Sequence, residues 1–423
     1  STLFPLEVTT NSNFALSLEA VDENGNLDMD NNASVSLSKA SGIGNLTVTS
    51  PQNFSGGLLT FNDVQFDADD THTVGVSATG FSSQLSGNII TRTPNDGDFR
   101  SRNTNGNWNT ASDWETFSGG SWITATLVPS SSDGRILIQN GHTMTIDLAI
   151  SIDEVVVAPG AILERGAGHL VTLNDGTEDD LIIQGIYKVL SSGSGDNYAD
   201  AIAYSGNAKI LVESTGTLEI NIAGGSQHFT YAIEPITRVE FQDGATFRWN
   251  PQTSAAFAST NITYFPGVAS DVQPIFQVSN SVVIGSSDPT TINGMLAIDA
   301  GVSLTVQNAG LKTFRNGLRG EGTLTQLLSS GNLLINGIGA ELSLSRLELN
   351  AELQINNGDT TQMNSQVTME GGLLNLINGK LNLNGNNLRL GDNAQISEDR
   401  VGGHVIDDFC ATDETNTGGF IEA

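Results

Sequence analysis

The side chains with chemical potential gather in two stretches of this sequence. The first is Asp22-Glu-Asn24-Gly-Asn26-Leu-Asp28-Met-Asp30, where oxygen-bearing side chains alternate along a loop as they do in the opening half of a calcium site. Asp22, Asn24, Asn26 and Asp28 are its candidate calcium ligands. The distal bidentate Glu that closes an EF-hand loop does not follow them. The same residues also read as an Asn-Gly turn between strands, which needs no ion, and that plainer reading is preferred.

The second stretch holds Asp196 and Asp200 in the segment 191–200, with Lys188, Lys209, Arg238 and Arg248 at intervals around it. Carboxylates beside a Lys or Arg are what cleavage of an acidic polysaccharide requires: a base, and a cation to stabilise the developing charge. The spacing permits that chemistry without matching any lyase motif, so no residue is assigned a catalytic role. Other chemistries have less support. His72, His142, His169, His228 and His404 are scattered, without the His-x-x-x-His or His-x-x-Glu-His spacing of a metal-hydrolase site. There is no Gly-x-Ser-x-Gly elbow, and Cys410 has no evident partner His.

These residues must be positioned by strands. A Gly-bearing turn followed by alternating apolar residues recurs along the chain, as in Gly141-His-Thr-Met-Thr-Ile146, Gly216-Thr-Leu-Glu-Ile220, Gly301-Val-Ser-Leu-Thr-Val306 and Gly379-Lys-Leu-Asn-Leu383. Alternation predicts strands, and one short unit repeated many times predicts a solenoid whose coils bury their apolar sides against each other. Uneven spacing between the turns favours a parallel β-helix with loops of differing length, right-handed by the crossover rule. Asn-rich turns such as 382–387 are placed to stack side-chain amides from coil to coil.

Residues 1–93 follow another pattern. Seven short alternating stretches, from Leu3–Thr9 to Gln84–Thr93, are separated by turn residues, as in an immunoglobulin-like sandwich. The organisation expected is therefore an all-β chain: an Ig-like β-sandwich over 1–93, a linker and Trp-rich cap over 94–132, a parallel β-helix over 133–409, and a cap or tail over 410–423. Trp108, Trp114 and Trp122 lie close together in sequence. They read either as a cap over the first coil or as a sugar-stacking platform, the cap being preferred because a coil begins there.

Composition narrows the function. Against 17 basic residues stand 47 acidic ones, a net charge of −30 that repels phosphate and so excludes nucleic-acid and anionic-lipid partners. No apolar run is long enough for a transmembrane helix, so membrane insertion is not expected. One cysteine permits no internal disulfide, and a solenoid needs none because its core grows with each coil. The chain opens mid-pattern at Ser1, which reads as a piece of something longer.

Two segments carry a family resemblance. Phe14-Ala-Leu-Ser-Leu-Glu-Ala-Val-Asp-Glu-Asn-Gly-Asn26, with Gly57-Leu-Leu-Thr-Phe61, resembles the Ig-like modules of large bacterial surface proteins. Gly106-Asn-Trp108, Asp113-Trp114, Val128-Pro129 and Ile138-Gln-Asn-Gly-His142 resemble the opening of solenoid segments in secreted Bacteroidetes proteins of the type IX secretion kind. That resemblance implies an extracellular or cell-surface location. The function expected is that of a stalk, adhesin segment or filament subunit rather than an enzyme. Its partners would be further copies head to tail, neighbouring domains of a larger chain, or a cell-surface glycan. The alternative is a glycan-binding or polysaccharide-lyase-like β-helix protein.

Overall fold

The computed structural model describes residues 2–3, 7–21, 27–86, 89–176, 179–191, 202–222, 238–251, 256–257, 262–265, 268–284, 290–307, 310–327, 331–398, 403–406 and 421–422. Among them regular structure is β throughout, apart from one 3-10 turn at Ala111–Asp113. No helix among the described residues is long and apolar enough to cross a membrane. The chain divides into two compact units: Ser1–Arg100 with Glu115–Ala125, and Ser101–Trp114 with Thr126–Ala423. Residues 94–132 are thus shared between them.

In the first unit, Thr2–Leu3, Phe14–Glu19, Leu58–Phe66 and Leu46–Thr47 form one antiparallel sheet. A second sheet runs Glu7–Thr9, Ile89–Arg92, Asp70–Ala78, Ser34–Ser41, Gln52–Asn53. Alternation decides which side chains face inward, so Leu16, Leu18, Val35, Phe61, Val64, Phe66, Val74 and Ile89 from both sheets make one buried cluster. The stretch read as a single strand, Leu3–Thr9, is two strands in different sheets, and the second lies parallel to Ile89–Arg92. The 93–98 segment folds around Asp98, which pairs with Arg92 at 2.5 Å and accepts the Asn95 N–H at 2.8 Å. A hairpin of Glu115–Ser118 on Ser121–Thr124 carries Trp122, packed edge-on to Phe117 at 5.3 Å and under the Arg100 guanidinium at 4.4 Å.

The second unit repeats three strand rows. Ile136–Ile138, Val155–Val157, Leu181–Ile183, Ile210–Val212 and Val239–Phe241 form the first row, each parallel to the next. The second row starts at Asn105–Asn107 and continues through Thr143–Ile146, Ile162–Arg165, Ile186–Ser191, Thr217–Ile222, Thr246–Trp249, Ile275–Val278 and Met295–Ile298. The third opens with Ile150–Ile152, Val171–Leu173 and Ile202–Tyr204. Parallel pairing of each strand with its equivalent one coil on is the pattern of a β-solenoid. Farther along, strands run longer: Gly317–Gln326 bends through a register shift between Gly320 and Thr323 and so serves two rows.

Register lines the inward residues into columns. In the second row Leu163, Tyr187, Leu218, Phe247, Phe276, Leu296, Leu318 and Leu342 are successive partners, all buried. Each such apolar side chain contributes about 1.5–3 kcal/mol by leaving water, so the column is a main source of cohesion between coils. The turns between rows need glycine for two different reasons. Gly160 adopts φ +77°, a left-handed conformation costly for other residues, while at Gly216 a Cβ would lie 2.0 Å from the Ile183 carbonyl oxygen. Amides brace the turns as well: Asn384 Nδ2 donates to Asn364 Oδ1 of the preceding coil at 3.2 Å.

Trp108 and Trp114 are wholly buried, edge to face at 4.8 Å. Trp108 Nε1 donates to the Pro129 carbonyl at 3.1 Å and Trp114 Nε1 to the Trp108 carbonyl at 3.0 Å. With both indoles in the core and both N–H groups satisfied, neither ring is presented to a sugar.

Candidate binding face

Of the candidate calcium ligands, Asp22, Asn24 and Asn26 lie outside the described residues. Asp28 sits at the end of that loop, where its Oδ2 accepts Asn31 Nδ2 at 3.0 Å and its carbonyl accepts the Asn31 N–H at 3.2 Å. This carboxylate is engaged in a local turn. Among the described residues no group of three or more His, Cys, Asp or Glu side chains is arranged to hold a metal ion. The acidic run 67–70, at the other end of the strand Leu58–Phe66, is likewise occupied by neighbouring segments. Both oxygens of Asp67 bond Asn45, which lowers its pKa, and Asp70 accepts the N–H groups of Ile43 and Thr71.

The cations considered for polysaccharide chemistry are tied to neighbouring coils, while Asp196 and Asp200 fall outside the described residues. Lys188 pairs with Glu164 at 3.0 Å. Arg248 pairs with Glu219 at 3.1 Å, and its Nε donates to Gln277 Oε1 at 3.0 Å. Arg238 donates to the carbonyls of Gly206 and Ala208 at 2.8 and 3.2 Å. Lys209 gives its backbone N–H to Asp180 at 2.6 Å and leaves its side chain exposed. His142 is structural, with Nδ1 2.8 Å from Ser101 Oγ and a pKa lowered by burial. His72 is fully buried and stacks on Phe66 at 3.9 Å. Cys410 and His228 lie outside the described residues.

The ion pairs belong to one outward row on the second sheet. Successive register partners along it are Glu164, Lys188, Glu219, Arg248, Gln277, Ala297, Arg319 and Ser343. From Glu164 to Gln277 each residue bonds its neighbour or an adjacent amide, and Gln277 Nε2 ends the run on Asp299 at 2.8 Å. Beyond that point the surface is hollowed. One depression of about 390 Å³ is lined by Gln277, Ala297, Asp299, Arg319 and Glu321, and a second of about 300 Å³ by Gln273, Arg319, Glu341, Gln362 and Asn364. Arg319 lines both.

A second grouping escaped the sequence reading. Asp153 and Asp180, which precede the first-row strands of successive coils, bring their carboxyl groups against each other. Burial first, then the adjoining Asp180 carboxyl and its charge, push the Asp153 pKa up to about 6. Neither this pair nor Arg319 is marked by a motif. Comparison with protein-family models, curated proteins and solved structures finds no match to this chain.

Proposed function

We propose that this chain is an extracellular structural or adhesive protein, a stalk, adhesin segment or surface-filament subunit built from an Ig-like module and a right-handed parallel β-helix. The observation that carries the reading is the commitment of Lys188, Arg238 and Arg248 to carboxylates and carbonyls of adjacent coils. Cations held this way brace one coil against the next, and of those considered for lyase chemistry only Lys209 leaves its side chain exposed. The continuous apolar columns support the same role, since cohesion distributed along a solenoid suits a load-bearing element.

The sheet switch between Thr2–Leu3 and Glu7–Thr9 supports an Ig-like arrangement for the first unit. The resemblance of roughly 97–150 to Bacteroidetes solenoid openings supports surface display through type IX secretion. Partners would be further copies of the chain or adjoining domains, because exposed strand edges and solenoid ends permit heterologous contacts that grow into filaments. Electron microscopy of the native material with calcium present tests this. Ordered filaments containing the chain support the subunit role; isolated particles remove it and leave stalk or adhesin. Release of unsaturated uronate products from a polysaccharide panel would overturn the non-enzymatic reading.

A further inference from the structure

We infer that the trough centred on Arg319 binds a glycan that carries an isolated carboxylate among neutral sugars. Along its row, a cation is ordinarily neutralised by the residue one coil earlier: Glu164 precedes Lys188, and Glu219 precedes Arg248. At Arg319 that position is Ala297, and the position one coil later is Ser343. Arg319 makes no ion pair or hydrogen bond with any described residue, and it is only half-exposed. A partly desolvated guanidinium without a partner attracts a carboxylate, in a planar two-bond geometry, more strongly than a fully hydrated one does.

The surroundings select among carboxylate-bearing ligands. Met295–Ile298 beneath the trough pairs on both sides, with Ile275–Val278 and with Gly317–Gln326. A peptide therefore finds no free strand edge to extend, and peptide recognition by strand addition is closed here. Side-chain amides and carboxylates such as Gln362, Asn364, Asp299 and Glu321 are suited instead to sugar hydroxyls, which both donate and accept. Asp243, Asp299, Glu321 and Glu341 also line the two depressions, in a chain of net charge −30. This field opposes every anion, and a polyanion most, so a single carboxylate is held only through its direct contact with the Arg319 guanidinium. The site goes beyond the structural reading and rests only on this solenoid face, so its failure would leave that reading intact.

Isothermal titration of the full chain at low salt provides the test. The probes are a xylo-oligosaccharide bearing a single glucuronate, the unsubstituted xylo-oligosaccharide, and polygalacturonate. The singly substituted ligand should bind, with the other two at least about tenfold weaker, as loss of one charge-assisted contact or added repulsion implies. Arg319→Gln should weaken binding by about tenfold or more. Ala297→Glu, which rebuilds the carboxylate-before-cation arrangement of Glu219 and Arg248, should do the same while Arg319 is still present. Circular dichroism melts matching the wild type would show that both variants fold. Absence of binding, equal binding of the neutral oligosaccharide, preference for polygalacturonate, or wild-type affinity in either variant would overturn the inference.

Discussion

Asp153 and Asp180, from successive coils of the solenoid, set two carboxyl groups against each other, and Asp180 accepts the N–H groups of Gly176 at 2.9 Å and Lys209 at 2.6 Å. Burial first, then the neighbouring Asp180 carboxyl, raises the Asp153 pKa from 3.8 to about 6.

A stability effect follows from that shift. A carboxyl whose folded pKa exceeds its unfolded value binds its proton more tightly in the native state, so its contribution is greatest below the unfolded value of 3.8 and is lost as pH rises through about 6. Asp153→Asn keeps an oxygen for the Glu154 N–H, now accepted at 3.0 Å, and removes the charge. The variant should melt at a higher temperature than the wild type at pH 7.5, with the difference shrinking toward pH 4.5. An unchanged difference across that range, read by circular dichroism, would remove the pair from the account. Comparing variant with wild type cancels the carboxylates whose pKa values are lowered, such as Asp63 and Asp67, which destabilise the fold as pH falls.

The ion-pair row makes a second prediction. Glu219 is almost wholly buried, and it accepts Arg248 at 3.1 Å and Asn250 at 3.1 Å. Arg248→Ala leaves that charge short of its cation and should cost about 1–3 kcal/mol in urea unfolding. Adding Glu219→Gln should recover part of the loss, because the two residues share one interaction. Strict additivity of the two changes would mean that the row does not brace the coils.

Arg315 makes a third. Its guanidinium donates to the carbonyls of Val268, Ala269 and Val272 at 3.2, 3.1 and 2.9 Å, stapling a long turn to the coil that follows. Partial burial lowers its pKa, yet an arginine stays charged across the accessible range. Arg315→Ala should expose 268–272 to proteolysis and speed its hydrogen exchange while leaving the rest of the solenoid protected. Protection equal to the wild type in that segment would refute the staple.

Core packing gives the fourth. Leu318 is fully buried between Leu296 and Leu342, so Leu318→Ala should cost about 2–5 kcal/mol through lost transfer energy and a residual cavity. A loss well under 1 kcal/mol by urea titration would argue against a packed column there.

Calcium provides the fifth. Asp28 spends its carboxylate on Asn31, so addition of a chelator is expected to leave the thermal midpoint unchanged. A large drop would restore the 22–28 loop as an ion site.

Strand content was legible in the sequence because alternation and glycine turns are local: Thr143–Ile146, Thr217–Ile222 and Ser303–Val306 each follow the turn that announced them. The two patterns read on either side of residue 93 do not by themselves give the division of the chain, whose first compact unit runs to Arg100 and takes in Glu115–Ala125. The Trp cluster was visible too, but only packing separated Trp108 and Trp114, in the core, from Trp122, which is half-buried on its hairpin. What the sequence could not disclose is register. Lys188, Arg248 and Arg319 occupy equivalent alternating positions and look alike as text, yet two meet a carboxylate one coil earlier and the third meets Ala297. The partner of any residue lies one coil away, and coils vary in length. Only the closed coil therefore decides which charges cancel, which carboxyls are set against each other, and where a cation is left without a partner among the described residues.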